Sequence, residues 1–282
     1  MNFKRILALV CAAAMAMLLF AGCTDSNTLS TEKPTTAAAD PAAPTELQLI
    51  VPGTLTVGTE IGYPPFEMFA DDGTTEIGLD IDLAKAIGEL LGVKVVFQNT
   101  DFEGILDGLA IDKYDVVMSA VTITAARAEK VDFSSPYIEN WQAIVVRKGD
   151  TAITGPEQLD GKKVAYQKAT TSTEYLGKLR DTGVVKCEVS EYEKVMECFT
   201  DLKLGRVDTV LCDSVVAEGY VAREPGAFEL TWIQSTVEGD EPELFGVGVK
   251  KNNAELLAAV NGALAELEAS GKLDALRLQW LA

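Results

Sequence analysis

The alternation of short apolar stretches with amphipathic stretches from about residue 47 onward constrains the fold more than any other feature. In the first part of the chain the strand-like stretches are LTVGTE (55–60), VKVVFQNT (93–100) and YDVVMSA (114–120). Between them, GLDIDLAKAIGELLG places Leu83, Ile87 and Leu90 on one helix face and stops at Gly92. A second helix is predicted for 101–111. Strands that alternate with helices form βαβ units with a mainly parallel sheet.

The same pattern then starts again. Its predicted strands are WQAIVVRKGD (141–150), KKVAYQ (162–167), VKCEV (185–189) and RVDTVLCD (206–213), and its predicted helices cover 170–183 and 190–205. A single strand is predicted for 244–252, followed by helices broken near Gly271. Two α/β cycles with a C-terminal return predict two lobes, the second inserted into the first. We place lobe 1 at 47–141 and 236–282 and lobe 2 at 142–235, with a ligand cleft beyond the carboxyl ends of the strands.

The N-terminus has the composition of an export signal. Lys4 and Arg5 precede an apolar stretch that is short for a membrane span and ends in FAGC at Cys23. FAGC resembles a bacterial lipobox, which predicts a signal peptide (1–22) and lipidation of Cys23. The alternative is an uncleaved N-terminal anchor. Residues 23–46 are rich in Thr, Ala, Pro and Ser and are predicted to be a flexible tether, so the mature protein is expected to be extracytoplasmic and lipid-anchored to the cell membrane.

Charge and residue usage exclude several classes of function. The chain has 24 Lys and Arg against 43 Asp and Glu, a formal charge of −19, and removal of Lys4 and Arg5 with the signal leaves −19 − 2 = −21. An acidic protein of this kind lacks the basic surface that nucleic acid requires. Because the chain has no histidine, histidine metal sites and histidine-based catalytic triads are excluded, and neither a metal nor a cofactor is expected. Cys187 and Cys198 are either a disulfide or unpaired thiols.

Polar and aromatic residues at the predicted strand ends form a candidate binding site. Arg127 follows hydroxyl side chains at the start of a short helix, where its guanidinium can hold a carboxylate in bidentate fashion. Thr122 and the Thr171 helix start can complete that carboxylate's hydrogen bonds. Asp213, at the end of a buried strand in the other lobe, can accept from an ammonium group. A free α-amino acid would therefore contact both lobes, and only in a closed state.

Simpler structural interpretations exist for the same residues. Arg127 can form a surface ion pair with Glu129, and Asp213 can cap the helix that follows it. Tyr63 and Phe102 can be core aromatic residues, and Glu60 can be a solvated strand end.

Several stretches together closely resemble the bacterial extracellular solute-binding proteins of family 3, the polar amino-acid receptors of ABC importers. The stretches are GTEIGYPPFEM, GLDIDLAKAIGELLG, DFEGILDGL, YDVVMSAVTITAARAEKVDFSSPY, GKKVAYQKATTSTEYL, GRVDTVLCD and LFGVGVKKN. The resemblance extends over about residues 47–282. It implies an α/β, two-lobed, type II periplasmic-binding-protein-like fold with two hinge crossovers and a ligand cleft between the lobes.

The resemblance also implies a role for each candidate residue. Arg127 is expected on the ligand α-carboxylate and Asp213 on its α-ammonium, assisted by Thr122, the Ala120 backbone and Thr171. The remaining implied ligand-binding residues are the aromatic walls Tyr63 and Phe102 and the side-chain or rim positions Glu60 and Gln167. Ala120 and Ala169 depart from the family pattern, in which glycine is frequent at both positions and serine also at the first.

The leading interpretation is a monomeric binding component that captures a polar amino acid and delivers it to the permease subunits of an ABC importer. Glu60 in an otherwise aromatic pocket is expected to favour cationic or amide side chains. One alternative is a cyclohexadienyl dehydratase on the same fold, with Glu60 or Glu174 as general acid. Another is a ligand-sensing module for a separate receptor. The sequence encodes no signalling domain and no spanning segment after residue 22.

Overall fold

The computed structural model describes residues 47–234, 239 and 241–281. The predicted signal peptide (1–22), the lipidation site at Cys23 and the tether (23–46) lie outside the described residues and remain predictions. Within the described ranges, no helix combines the length and the apolar character that crossing a membrane requires.

The first sheet is built from both ends of the described chain. Its N-terminal part forms β1 (Thr54–Thr59), β2 (Met68–Phe69), β3 (Glu76–Ile77), α1 (Leu79–Leu91), β4 (Lys94–Asn99), α2 (Asp107–Ala110), β5 (Val116–Val117), α3 (Ala125–Lys130) and β6 (Val131–Phe133). β1 pairs in parallel with both β4 and β5, as βαβ connections require. β14 (Gly248–Lys250) lies antiparallel between β5 and β6. The order β4-β1-β5-β14-β6 therefore joins residues from the two ends of the chain in one sheet.

Two short antiparallel strands connect the two sheets. β7 (Ile138–Asn140) leads out of the first sheet, and β13 (Glu243–Phe245) leads back, with Asn140 opposite Glu243. These are two hinge crossovers of the kind that the family resemblance implies. The predicted lobe boundaries, 141/142 and 235/236, stay predictions, and the second falls within residues 235–238, outside the described ranges.

The second sheet has the order β10-β9-β11-β8-β12. Its elements are β8 (Gln142–Arg147), a 3-10 turn (Pro156–Leu159), β9 (Lys163–Gln167), α4 (Thr171–Asp181), β10 (Glu188–Tyr192), α5 (Val195–Lys203), β11 (Thr209–Asp213), α6 (Ser214–Arg223) and β12 (Phe228–Ile233). β9 pairs in parallel with β10 and β11, whereas β8 pairs antiparallel with β11 and β12. The apolar run Ala143, Ile144, Val145 and Val146 in β8 is 0% exposed, as expected for a strand covered on both faces.

The C-terminal helices cover the first sheet. α7 (Ala254–Ala269) and α8 (Lys272–Leu281) are separated at Gly271, whose φ of +73° suits glycine, and the break occurs where the sequence predicts it. Both helices lie against α1, where Leu83 and Ile87 share a buried apolar cluster with Leu264.

Several predicted elements are wrong in extent, among them two helices and the strand predicted for 244–252. The helix predicted for 101–111 is limited to α2, the helix predicted for 190–205 begins only at Val195, and the strand predicted for 244–252 is divided into β13 and β14. Residues 190–192 instead extend β10, because they pair in register with β9 at the sheet edge. β13 and β14 are separated at Gly246. A Cβ atom added to Gly246 would lie 2.8 Å from Ile123 Cδ1, so the backbone here lies in close contact with the first lobe.

The cysteines in the described part of the chain are free. Cys187 is half-buried, and Cys198 and Cys212 are buried. The disulfide interpretation is therefore wrong, and the alternative of unpaired thiols is confirmed.

Candidate functional site

A pocket with an empty volume of about 260 Å³ lies at the carboxyl ends of strands from both sheets. Its lining residues are Tyr63, Phe102, Ser119, Ala120, Thr122, Arg127, Gln167, Thr170, Thr171 and Asp213. Eight of the nine residues predicted for the site line it, and the exception is Glu60.

Arg127 spans the cleft. Its Nη1 donates to the Thr122 carbonyl oxygen at 3.0 Å, and its Nη2 donates to the Ala169 carbonyl oxygen of the second lobe, also at 3.0 Å. The guanidinium lies 5.5 Å from the centre of the Phe102 ring, and the Thr124 hydroxyl accepts from the Arg127 backbone N–H at the start of α3. Burial lowers the pKa of this guanidinium. Since arginine carries five N–H donors, these two side-chain bonds leave donors for a ligand carboxylate.

Asp213 ends β11 and is 6% exposed. Its Oδ2 accepts from the Tyr63 hydroxyl at 2.5 Å, and its Oδ1 accepts from Asn140 Nδ2 at 2.7 Å and Gln142 Nε2 at 3.3 Å. Asp213 stands at the N-cap position of α6 but makes no side-chain capping bond, so the helix-cap interpretation is wrong. Burial and then the neighbouring Glu243 raise the pKa of Asp213 to about 7, against the opposing effect of its hydrogen bonds.

Three more residues belong to the hydrogen-bond network of Asp213. Asn140 and Glu243 lie on the two crossovers, and Gln142 lies on the strand that follows the first crossover. The sequence did not predict any of the three as site residues. Gln142 Nε2 lies 3.1 Å from Glu243 Oε2, to which the Thr171 hydroxyl also donates at 3.0 Å. Burial raises the pKa of Glu243. The available signal was weak: Asn140 and Gln142 are alternate polar residues beside an apolar strand, and both are fully buried.

Glu60 lies beside the pocket rather than in its lining. The carboxylate is 2% exposed and accepts from Gln167 Nε2 at 2.6 Å, while Lys194 Nζ lies 3.4 Å from its other oxygen. Burial raises the pKa of Glu60, and the contacts with Gln167 and Lys194 oppose that shift. The solvated-strand-end interpretation is wrong. Sequence reasoning missed Lys194, for which no motif or spacing gave a signal.

Two further carboxyl groups support the loop that carries Ser119 and Ala120. The Ser119 hydroxyl donates to Glu67 Oε1 at 2.7 Å, and the Ala120 N–H donates to Asp80 Oδ2 at 2.7 Å. Burial raises the pKa of Asp80 to about 7 and that of Glu67 well above its usual range. Asp80 itself lies in the first turn of α1, whose N-cap residue is Gly78.

The two departures from the family pattern have a common backbone feature. Ala120 has a φ of +47° and Ala169 a φ of +57°, in the left-handed region where glycine is favoured. α4 begins at Thr171, and its N-cap residue, Thr170, makes no side-chain capping bond. Thr171 instead directs its hydroxyl to Glu243.

The family model for bacterial extracellular solute-binding proteins, family 3, matches residues 55–282. The chain belongs to this family. It is 34% identical over 229 residues to the L-cystine-binding protein TcyJ of Escherichia coli (strain K12), covering 81% of this chain and 82% of the relative. It is 32% identical to the ABC transporter arginine-binding protein 1 of the same organism, covering 79% of this chain and 88% of the relative.

Solved structures of family-3-like proteins show the same architecture. An ancestral arginine-binding protein bound to arginine matches with a TM-score of 0.76 at 42% identity, covering 82% of this chain and 99% of that one. The ancestral amino-acid-binding protein AncCDT-1, a precursor of cyclohexadienyl dehydratase, matches with a TM-score of 0.74 at 36% identity, covering 82% and 96%. The expected two-lobed periplasmic-binding-protein-like fold is confirmed.

The comparisons favour binding over catalysis. The relatives named above are solute-binding proteins, so this family-3 chain is a binding protein and not an enzyme. Of the two candidate general acids, Glu60 contacts Gln167 and Lys194, and Glu174 lies outside the pocket lining formed by the described residues.

Proposed function

We propose that the pocket binds one free α-amino acid with a polar side chain, and that the protein delivers it to the permease subunits of an ABC importer. The observation that carries this proposal is the presence of Arg127 and Asp213 in one pocket, on different lobes. A guanidinium with free donors fits the α-carboxylate, and a buried carboxylate without a cation in hydrogen-bond contact fits the α-ammonium. The relatives named above are cystine-binding and arginine-binding proteins, which agrees with an amino-acid ligand.

Binding and closure are coupled in this proposal. The Tyr63 hydroxyl belongs to the first lobe and Asp213 to the second, and Arg127 reaches the Ala169 carbonyl across the same cleft. A zwitterion held between Arg127 and Asp213 adds charged contacts that exist only when the lobes are together. The ligand therefore shifts the population toward the closed form, which the permease can recognise.

We further propose that the mature protein is a monomer held at the membrane by lipidated Cys23, with residues 23–46 as tether. The FAGC sequence and the composition of residues 23–46 support the lipid anchor and the tether. Mass spectrometry of the mature protein from its membrane fraction is expected to find a lipid-modified cysteine at its start. An intact N-terminus at Met1 contradicts the proposal.

The test of the binding site is calorimetry with the twenty L-amino acids on the wild type and on Arg127→Ala. The wild type is expected to bind at least one polar amino acid. Arg127→Ala is expected to weaken every ligand by roughly 10²- to 10³-fold, because it leaves the ligand carboxylate buried without its partner. Arg180→Ala, an exposed arginine on α4, is the matched control and should leave affinity unchanged. Retained affinity in Arg127→Ala refutes the site.

A further inference from the structure

Glu60 is already neutralised by the chain itself. One of its carboxylate oxygens accepts from Gln167 and the other lies 3.4 Å from Lys194 Nζ. A carboxylate this deeply buried keeps its charge only when paired, and Lys194 provides that pairing. Glu60 therefore does not need a positively charged ligand side chain as its partner, which favours the amide over the cationic side chains among the two kinds that the sequence predicts.

Lys194 reaches Glu60 from outside the amino-acid pocket. It lines a separate, larger groove together with Ile61, Gly62 and Asn99, and its side chain remains 29% exposed. Solvent on that side keeps the ammonium hydrated while its tip compensates the carboxylate. Lys194 therefore pairs with Glu60 from outside the space that the ligand would occupy.

Gln167 presents a neutral hydrogen-bonding group beside this ion pair. Its Nε2 donates to Glu60 Oε2 at 2.6 Å and to the Glu193 carbonyl oxygen at 2.9 Å. Because both of those partners are acceptors, the amide can present only its oxygen elsewhere. Gln167 lines the pocket at 3% exposure, and its Oε1 is buried without a hydrogen-bond partner. A buried acceptor of this kind requires a donor.

We propose that Lys194 supplies the positive charge that Glu60 needs, so that the pocket selects a neutral donor side chain, a carboxamide, over a cationic one. This inference rests on the proposed amino-acid function and specifies its substrate class. The amide NH₂ group of the ligand donates to Gln167 Oε1. A guanidinium or ammonium group placed there meets the like charge of Lys194 and finds its natural partner, Glu60, already engaged.

The test measures affinities for L-glutamine, L-asparagine, L-arginine, L-lysine and L-cystine in the wild type and in Lys194→Met. The wild type is expected to bind a carboxamide amino acid about tenfold or more tightly than either cationic one. Lys194→Met leaves Glu60 without a cation and is expected to shift the arginine-to-glutamine affinity ratio toward arginine by about tenfold or more. Lys163→Met removes a lysine at the opposite end of β9, about 13 Å from Gln167, and should not move the ratio.

The outcomes separate this inference from the proposed function. Arginine or lysine binding at least as tightly as glutamine, or an unchanged ratio in Lys194→Met, overturns the carboxamide assignment while the amino-acid function stands. A preference for L-cystine that disappears in both Lys194→Met and Glu60→Gln also overturns the carboxamide assignment. Such a result would mean that the second zwitterion of cystine binds to the Lys194–Glu60 pair. Absence of binding to any amino acid overturns both.

Discussion

Glu60 and Asp213 occupy similar places in the two lobes but have opposite electrostatic surroundings. Each stands at the end of a parallel strand facing the cleft, and each is almost fully buried, at 2% and 6% exposure. Burial raises the pKa of both. Glu60, however, lies beside Lys194. Asp213 accepts from neutral donors and lies near a second carboxylate, Glu243, and the charge of Arg127 in the same pocket partly offsets the effect of Glu243 on its pKa.

The different partners of Glu60 and Asp213 indicate which of the two carboxylates is available to pair with a positively charged group of the ligand. Position on a strand and degree of burial do not distinguish the two, but their partners do. An ammonium group at Asp213 would relieve the repulsion from Glu243, whereas one at Glu60 would compete with Lys194. We therefore propose that the ligand cation binds at the Asp213 end of the pocket.

The largest effect is expected for Asp213→Asn. This substitution keeps the shape but removes the charge that pairs with the ligand ammonium, so affinity for every amino-acid ligand should fall by roughly 10²- to 10³-fold. Calorimetry on Asp213→Asn and on the exposed control Asp181→Asn measures the effect. A loss smaller than that caused by Glu60→Gln would reverse the comparison.

A smaller effect is expected from pH. The pKa of Asp213 is about 7 in the free protein, and bound ammonium favours its ionised form. As pH falls through 7 the carboxyl group takes up a proton that binding must displace, so affinity should be about tenfold weaker at pH 6 than at pH 8. Calorimetry in buffers with different ionisation enthalpies should detect proton release on binding below neutral pH.

Tyr63→Phe sharpens this prediction. The Tyr63 hydroxyl donates to Asp213 and thereby lowers the pKa of that carboxyl group. Its removal should raise the pKa further and move the onset of weakened binding to higher pH. An affinity that does not vary between pH 6 and pH 8 in either protein would mean that Asp213 does not contact the ligand charge.

The smallest effect is expected for Glu60→Gln. Affinity for a carboxamide ligand should fall by no more than about tenfold, because Gln167 loses one charged acceptor but keeps its bond to the Glu193 carbonyl oxygen. Cationic ligands should weaken more, since Lys194 is then uncompensated. The measurement is the ratio of glutamine to arginine affinity, and a ratio that shifts toward arginine contradicts the role given to Lys194.

The sequence was sufficient to predict the βαβ order and most of the pocket lining. Tyr63, Arg127 and Asp213 could be grouped because the carboxyl ends of parallel strands meet at one edge of a sheet, and the chain places polar residues at those ends. Elements that depend on neighbours were predicted less well, as with residues 190–192, where pairing with β9 overrides a helical pattern.

The sequence by itself determined the two α/β cycles, the family and the charged residues that face the cleft, because local periodicity and strand-end position encode them. Only the tertiary structure decided the burial and the partners of each charged site residue. Gln167 meets Glu60 across 107 residues and Gln142 meets Glu243 across 101, and such contacts form only when the two crossovers bring the sheets together. Burial and these long-range partners, which have no signature in the local sequence, set which carboxylate is paired and which is left for a ligand.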